Sequence, residues 1–338
     1  MFNPRRIFGE GRAVYYASGT LLPGAPDLDA FARSLLADVL FRCAAFSGVD
    51  LYTYSVEPRG YNALVLIAPE QKIADDEELL RRTEILYGEE LSPALGMDLA
   101  AVAELLRRDD AVAEEMRLYL ASRMGDLSMF KRIVRQRFTS AINKLSSGIG
   151  SVWKSPFSSV IVEDHPAVRA LVGAYIDLAP VRAGLAAVPE HYPWCGFGAA
   201  ARGDDFAAEA LARMVDPDLP PPAALGRYRT LMQLWGPYRE PEPAALRAAG
   251  ELPLPAAPAL FAQPQLTMER GGAVGRPEFI VHHRNARGYR RMRPPPPGFT
   301  SGDSPVRITH LRRPVPTRGR RLTKTHGGAA TAAPAAVQ

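Results

Sequence analysis

Leu127–Glu163 reads LSMFKRIVRQRFTSAINKLSSGIGSVWKSPFSSVIVE. Leu127, Phe130, Val134, Phe138, Ala141 and Leu145 recur at three- and four-residue steps, which predicts a helix with one apolar face. Lys131, Arg132, Arg135, Arg137 and Lys144 fall mostly elsewhere on that cylinder and make a cationic side. A Ser-Ser-Gly-Ile-Gly run breaks the helix, and Trp153-Lys154 then leads into a strand over Phe157–Val162. An apolar-backed helix with a basic outer side, beside a basic aromatic turn, suits contact with a phosphate backbone. A merely solvated charged face has the same periodicity.

The elements before this stretch set its context. Arg12–Ala17 reads as a strand and Gly19–Ala25 as a loop. Phe31, Leu35, Leu36, Val39 and Leu40 give a helix over Leu28–Phe46, with Asp27 as its N-cap. Val49–Val56 and Tyr61–Ile67 are β-rich runs joined by Glu57-Pro58-Arg59-Gly60, a hairpin-like pair. Strand, helix, strand, strand, helix, strand predicts an α+β fold with helices on one face of an antiparallel sheet. Residues 74–124 are charged and helical, an acidic insertion. Ala167–Leu178 is a further helix, closed by Pro180 and Gly184. Proline density rises from Pro217 (PDLPPPA, EPEP, ELPLPAAP, RPPPPG), and Asp216 onward reads as linker. The expected organisation is a core over 1–200 with a helical insertion at about 70–124. A linker and small helical region over 201–290 and a disordered basic tail over 291–338 follow.

Length and composition agree with a globular body. The 338 residues are 47% hydrophobic, with 31 prolines and 28 glycines in the loop-rich remainder. Two cysteines, Cys43 and Cys195, are too few for a disulfide framework or a four-cysteine zinc site. The N-terminus MFNPRRIFGEGR lacks an apolar run after its basic residues, and no segment is long enough to span a bilayer, so a cytoplasmic protein without a membrane partner is expected. Of the 41 lysines and arginines, 14 fall between Arg270 and His326, beside only two acids, Glu278 and Asp303. The body is therefore mildly acidic and the C-terminal segment carries the positive balance, a charge segregation common in nucleic-acid binders, although basic tails also bind membranes or simply solubilise.

Four segments in order carry a family resemblance. They are Ala45–Ile67 (AFSGVDLYTYSVEPRGYNALVLI), Asp75–Tyr87 (DDEELLRRTEILY), Gln136–Glu163, and Ala174–Phe197 (AYIDLAPVRAGLAAVPEHYPWCGF). A weaker fifth is Gly272–Arg284 (GAVGRPEFIVHHR). The chain resembles the REP-associated tyrosine transposases, single-tyrosine members of the HUH group that act on single-stranded DNA at hairpin-forming repeats. The resemblance implies a ferredoxin-like HUH-type core, a DNA partner and, in many relatives, a homodimer.

It also implies a chemistry that these residues do not supply. In the family a tyrosine hydroxyl attacks a phosphorus, leaving a phosphotyrosine link and a free 3′ hydroxyl. A divalent cation on two histidines of a strand, spaced i, i+2 so that both point to one face, polarises the phosphate. Here the matching tripeptide is Gly60-Tyr61-Asn62, and the first histidine of the chain is His165. The nucleophile position matches Ile142 or, one turn earlier, Phe138, and no tyrosine occurs between Tyr119 and Tyr175. Ala179 replaces the usual asparagine of the signature segment, and Pro156 replaces an arginine. No metal site, no cofactor and no catalytic residue is therefore expected. Tyr119 is the candidate for a displaced nucleophile, whereas alternation along the strand turns Tyr61 to the core.

What remains is binding. The expected nucleic-acid contacts are Arg132, Arg135, Arg137, Lys144, Trp153 and Lys154, with Arg182 in the Pro-Val-Arg-Ala-Gly turn and Arg290 and Arg291 in the tail. Core packing is the competing reading for Trp153 and Trp194, and turn stabilisation for Arg182. The sequence reading is a transposase-like DNA-binding protein that does not cut. An active transferase using Tyr119, and a functionless relic, are the alternatives.

Overall fold

A computed structural model describes residues 12–68, 75–88, 95–146, 150–154, 158–235, 272–286 and 307–309. β1 (Ala13–Thr20) pairs antiparallel with β3 (Gly60–Ile67) on one side and with β4 (Ser158–Val162) on the other. β2 (Val49–Glu57) pairs antiparallel with β3 and forms the hairpin expected around Pro58-Arg59. β5 (Gly272–Gly275) joins β4 in parallel, and β6 (Arg307–Thr309) closes the order β2-β3-β1-β4-β5-β6. The sheet is thus mixed rather than wholly antiparallel. A parallel pair needs a long crossover, and the helices between β4 and β5 supply it.

One face is covered by α1 (Ala30–Ser47) and α5 (Leu127–Ser146), with the insertion helices α2 (Asp76–Tyr87), α3 (Leu99–Leu106) and α4 (Ala111–Ala121) beside them. The other is covered by α6 (Pro166–Asp177), α8 (Gly196–Ala201), α9 (Asp205–Val215) and α10 (Pro221–Trp235), while the short α7 (Ala179–Arg182) continues α6. Helices on both faces correct the one-face expectation. The reason lies in the strands, where successive residues such as Tyr15 and Tyr16, or Leu64 and Val65, are all buried. A strand apolar on both sides needs cover on both. In β2 a bulge at Tyr52 shifts the register between Leu51 and Thr53, which keeps Leu51, Tyr54 and Val56 on the α1 side.

Three further readings are corrected. The N-cap of α1 is Asp29, whose Oδ1 accepts from Ala32 N at 2.8 Å, while Asp27 pairs with Arg59 at 2.9 Å. The boundary at residue 200 and the linker from Asp216 fall inside a packed layer, since α9 and α10 belong to the same core as α6. Pro221 and Pro222 open α10 instead of interrupting a chain, because the first turn of a helix has no use for their missing N–H groups. The fully buried Asp177 ties this layer together. It accepts from Thr53 Oγ1 on β2 at 2.9 Å, Phe197 N on α8 at 2.9 Å and Tyr228 Oη on α10 at 2.8 Å. Of the tail after residue 291, the described part is β6; the remainder lies outside the described residues. α11 (Pro277–Ala286) packs against β5.

Candidate functional site

The β2–β3 hairpin brings Gly60 to the end of β3, opposite Thr20 of β1. Gly60 has φ +147°, and a Cβ built there would sit 2.0 Å from the Gly19 carbonyl oxygen. The first ligand position implied by the resemblance is therefore closed by backbone, and no imidazole fits without opening the β1–β3 ladder. Asn62, the second, is already engaged. Its Oδ1 accepts from Tyr16 Oη at 2.5 Å, and its Nδ2 donates to Glu57 Oε1 at 2.9 Å. Among the described residues no group of three or more His, Cys, Asp or Glu side chains converges to hold a metal ion.

Around Asn62 the fold gathers a polar cluster at the hairpin end of the sheet. Arg182 stacks over the Tyr175 ring at 4.2 Å and donates through Nη2 to the Tyr175 carbonyl at 2.7 Å. Tyr175 meets Tyr16 edge to face at 6.2 Å. Burial pushes the Glu57 carboxyl up, against the pull of Arg182 and of the Asn62 amide. Burial likewise pulls the Arg182 guanidinium down, offset by Tyr175 and Glu57. Tyr16 and Glu57 were not singled out in the sequence. The signal for them is strand register, which sets Tyr16 opposite Leu64 and Glu57 opposite Gly60, each one step along the same face from Asn62.

The expected nucleophile positions lie on the opposite face. Phe138 is fully buried in the core under α1 and α5, tilted against Trp153 at 5.4 Å, and Ile142 packs on the same core. Tyr61 points there too, meeting Trp153 edge to face at 5.8 Å. The sheet thus separates Phe138 and Ile142 from Asn62.

The basic helix divides into exposed and committed cations. Arg132, Lys144 and, in the following turn, Lys154 are exposed. Arg135 instead donates to the Trp153 carbonyl at 3.1 Å. Arg137 donates to the Leu86 carbonyl and lies 4.7 Å from the Tyr87 ring, tying α5 to α2. Burial lowers the pKa of both. Lys131, read as part of the cationic side, is buried, while Leu145, read as apolar-face, is exposed. Trp153 is 2% exposed, so it packs the core and offers no face to a base. Trp194 donates from Nε1 to Ser34 Oγ at 2.9 Å and carries the Arg33 guanidinium 3.8 Å from its ring. Tyr119 is half-exposed on α4 and accepts from Arg123. Arg290 and Arg291 lie outside the described residues.

No protein-family model matches the chain, and no curated protein does. Among solved structures, a match is the "Structure of the REP associates tyrosine transposase bound to a REP hairpin". It covers 60% of this chain and 87% of that one, at 16% identity and a TM-score of 0.36. No helix among the described residues is long and apolar enough to cross a membrane.

Proposed function

We propose that this protein binds single-stranded or hairpin DNA on a transposase-like, HUH-type core and does not cleave it. The observation that carries the second half is Gly60, where backbone occupies the volume a first metal ligand would need. The engagement of Asn62 with Tyr16 and Glu57 supports it, as does the sheet lying between Asn62 and Ile142. The binding half rests on the sequence resemblance and on the exposed Arg132, Lys144 and Lys154 of one helix–turn unit. Strand order β2-β3-β1-β4, with α1 and α5 on one face, supports the ferredoxin-like arrangement of the core. Arg135, Arg137 and Arg182 act in this reading as structural ties, and the basic segment after residue 286 adds generic, salt-sensitive phosphate contacts.

The test incubates purified protein with a DNA hairpin carrying a single-stranded extension, with magnesium or manganese, and resolves the products on a denaturing gel. The expected result is binding that weakens with salt and no protein-linked fragment. A covalent adduct refutes the reading, and its loss in Tyr119→Phe would identify the displaced nucleophile.

A further inference from the structure

Between the start of α1 and the last turns of α5 runs a groove of about 370 Å³. Its walls include Phe31, Ile142, Leu145 and Val152, together with Asp27 and Asp29. Phe31 is 63% exposed and Leu145 62%, an arrangement that leaves apolar surface in water at a cost to folding. The volume lies in the range of small-ligand sites.

We propose that this groove seats one unpaired nucleobase of the bound strand, an inference that rests on the DNA-binding reading above. The chemistry of the walls selects this occupant. The exposed Phe31 ring offers a stacking face, and the apolar walls accept a flat heterocycle without demanding hydrogen bonds. Asp27 Oδ1 accepts from Arg59 and Asp29 Oδ1 from Ala32 N, and both carboxylates retain acceptor capacity for an exocyclic amino group. The Asp29 charge repels phosphate, that of Asp27 being offset by Arg59, and this keeps the backbone outside the groove. There Lys144, next to Leu145, and Lys154, two residues beyond Val152, are exposed cations. Apolar and acidic inside, basic alongside, is the complement of a base carried on a phosphodiester chain.

The test is an abasic scan of the single-stranded extension of the same hairpin, with affinities measured for wild type, Phe31→Ala and Ile142→Trp. Phe31 is exposed, so its loss leaves the fold intact, while the tryptophan fills the groove. In wild type, one abasic position is expected to weaken binding about tenfold, in line with removal of one stacked base. Each variant is expected to weaken the intact strand about tenfold and the abasic strand no further. At the sensitive position, an amino-bearing base should bind better than thymine. A flat scan with unchanged variants overturns the groove and leaves DNA binding standing. A sensitive position with neutral variants also overturns it, because the base is then read elsewhere. Failure of wild type to bind any strand overturns both readings.

Discussion

Replacing Gly60 with alanine tests the closure of the ligand position directly. Alanine must adopt φ +147°, a conformation that costs a non-glycine residue about 1–3 kcal/mol. Its Cβ must also move away from the Gly19 carbonyl oxygen, which stands at 2.0 Å. A relaxed carbon–oxygen contact needs about 3.3 Å, so the Gly19–Thr20 end of β1 must separate from β3. Opening one or two ladder hydrogen bonds costs about 1 kcal/mol each. The expected destabilisation is about 2–5 kcal/mol, read as a lower urea midpoint with an unchanged slope. Gly24→Ala is the control, since φ there is +88° but a Cβ would meet nothing within 4 Å. It should cost about 1–2 kcal/mol, the strain alone. If Gly60→Ala unfolds at the wild-type midpoint, or no lower than Gly24→Ala, the backbone does not close this position and a first ligand has room there.

Asp177→Ala should destabilise by about 3–5 kcal/mol, because Thr53, Phe197 and Tyr228 are deprived of their buried acceptor together; chemical denaturation checks it. Burial raises Asp177 to about 6 in the fold. The folded state therefore holds this proton more tightly than the unfolded chain, and the proton-linked part of its contribution grows as pH falls from about 6 towards the unfolded value of about 4 and is absent above about 6. Comparing urea midpoints at pH 7 and pH 5 should show this trend in wild type and its absence in Asp177→Asn. Removing Arg132, Lys144 and Lys154 together should lower the dependence of log K on log salt by about 0.7 for each phosphate no longer neutralised, with little change in thermal stability. Unchanged salt dependence would place the strand elsewhere.

The residues varied in how much they disclosed. The element order around the hairpin was legible because strand and helix periods differ and because Glu57-Pro58-Arg59-Gly60 is a turn by composition. The second helical layer was not. Its prolines at 220–222 look alike whether they break a chain or begin a helix, and only the burial of Tyr228 on Asp177 distinguishes the two. Cations on α5 were also indistinguishable in the sequence. Arg132 and Arg137 are both arginines of an amphipathic helix, but one faces solvent and the other meets the Leu86 carbonyl across 51 residues of chain.

By itself the sequence determined that Gly60, Asn62, Ile142 and Phe138 carry neither imidazole nor phenol, since side-chain chemistry belongs to the residue wherever it is placed. Only the tertiary structure decided that Gly60 has no room for a side chain and that Asn62 is bonded to Tyr16 and Glu57. It alone set Ile142 on the far side of the sheet, above an open groove. Those properties depend on which atoms of distant segments arrive within a few ångströms. Strand register and the packing of both sheet faces determine that, and no local pattern encodes it.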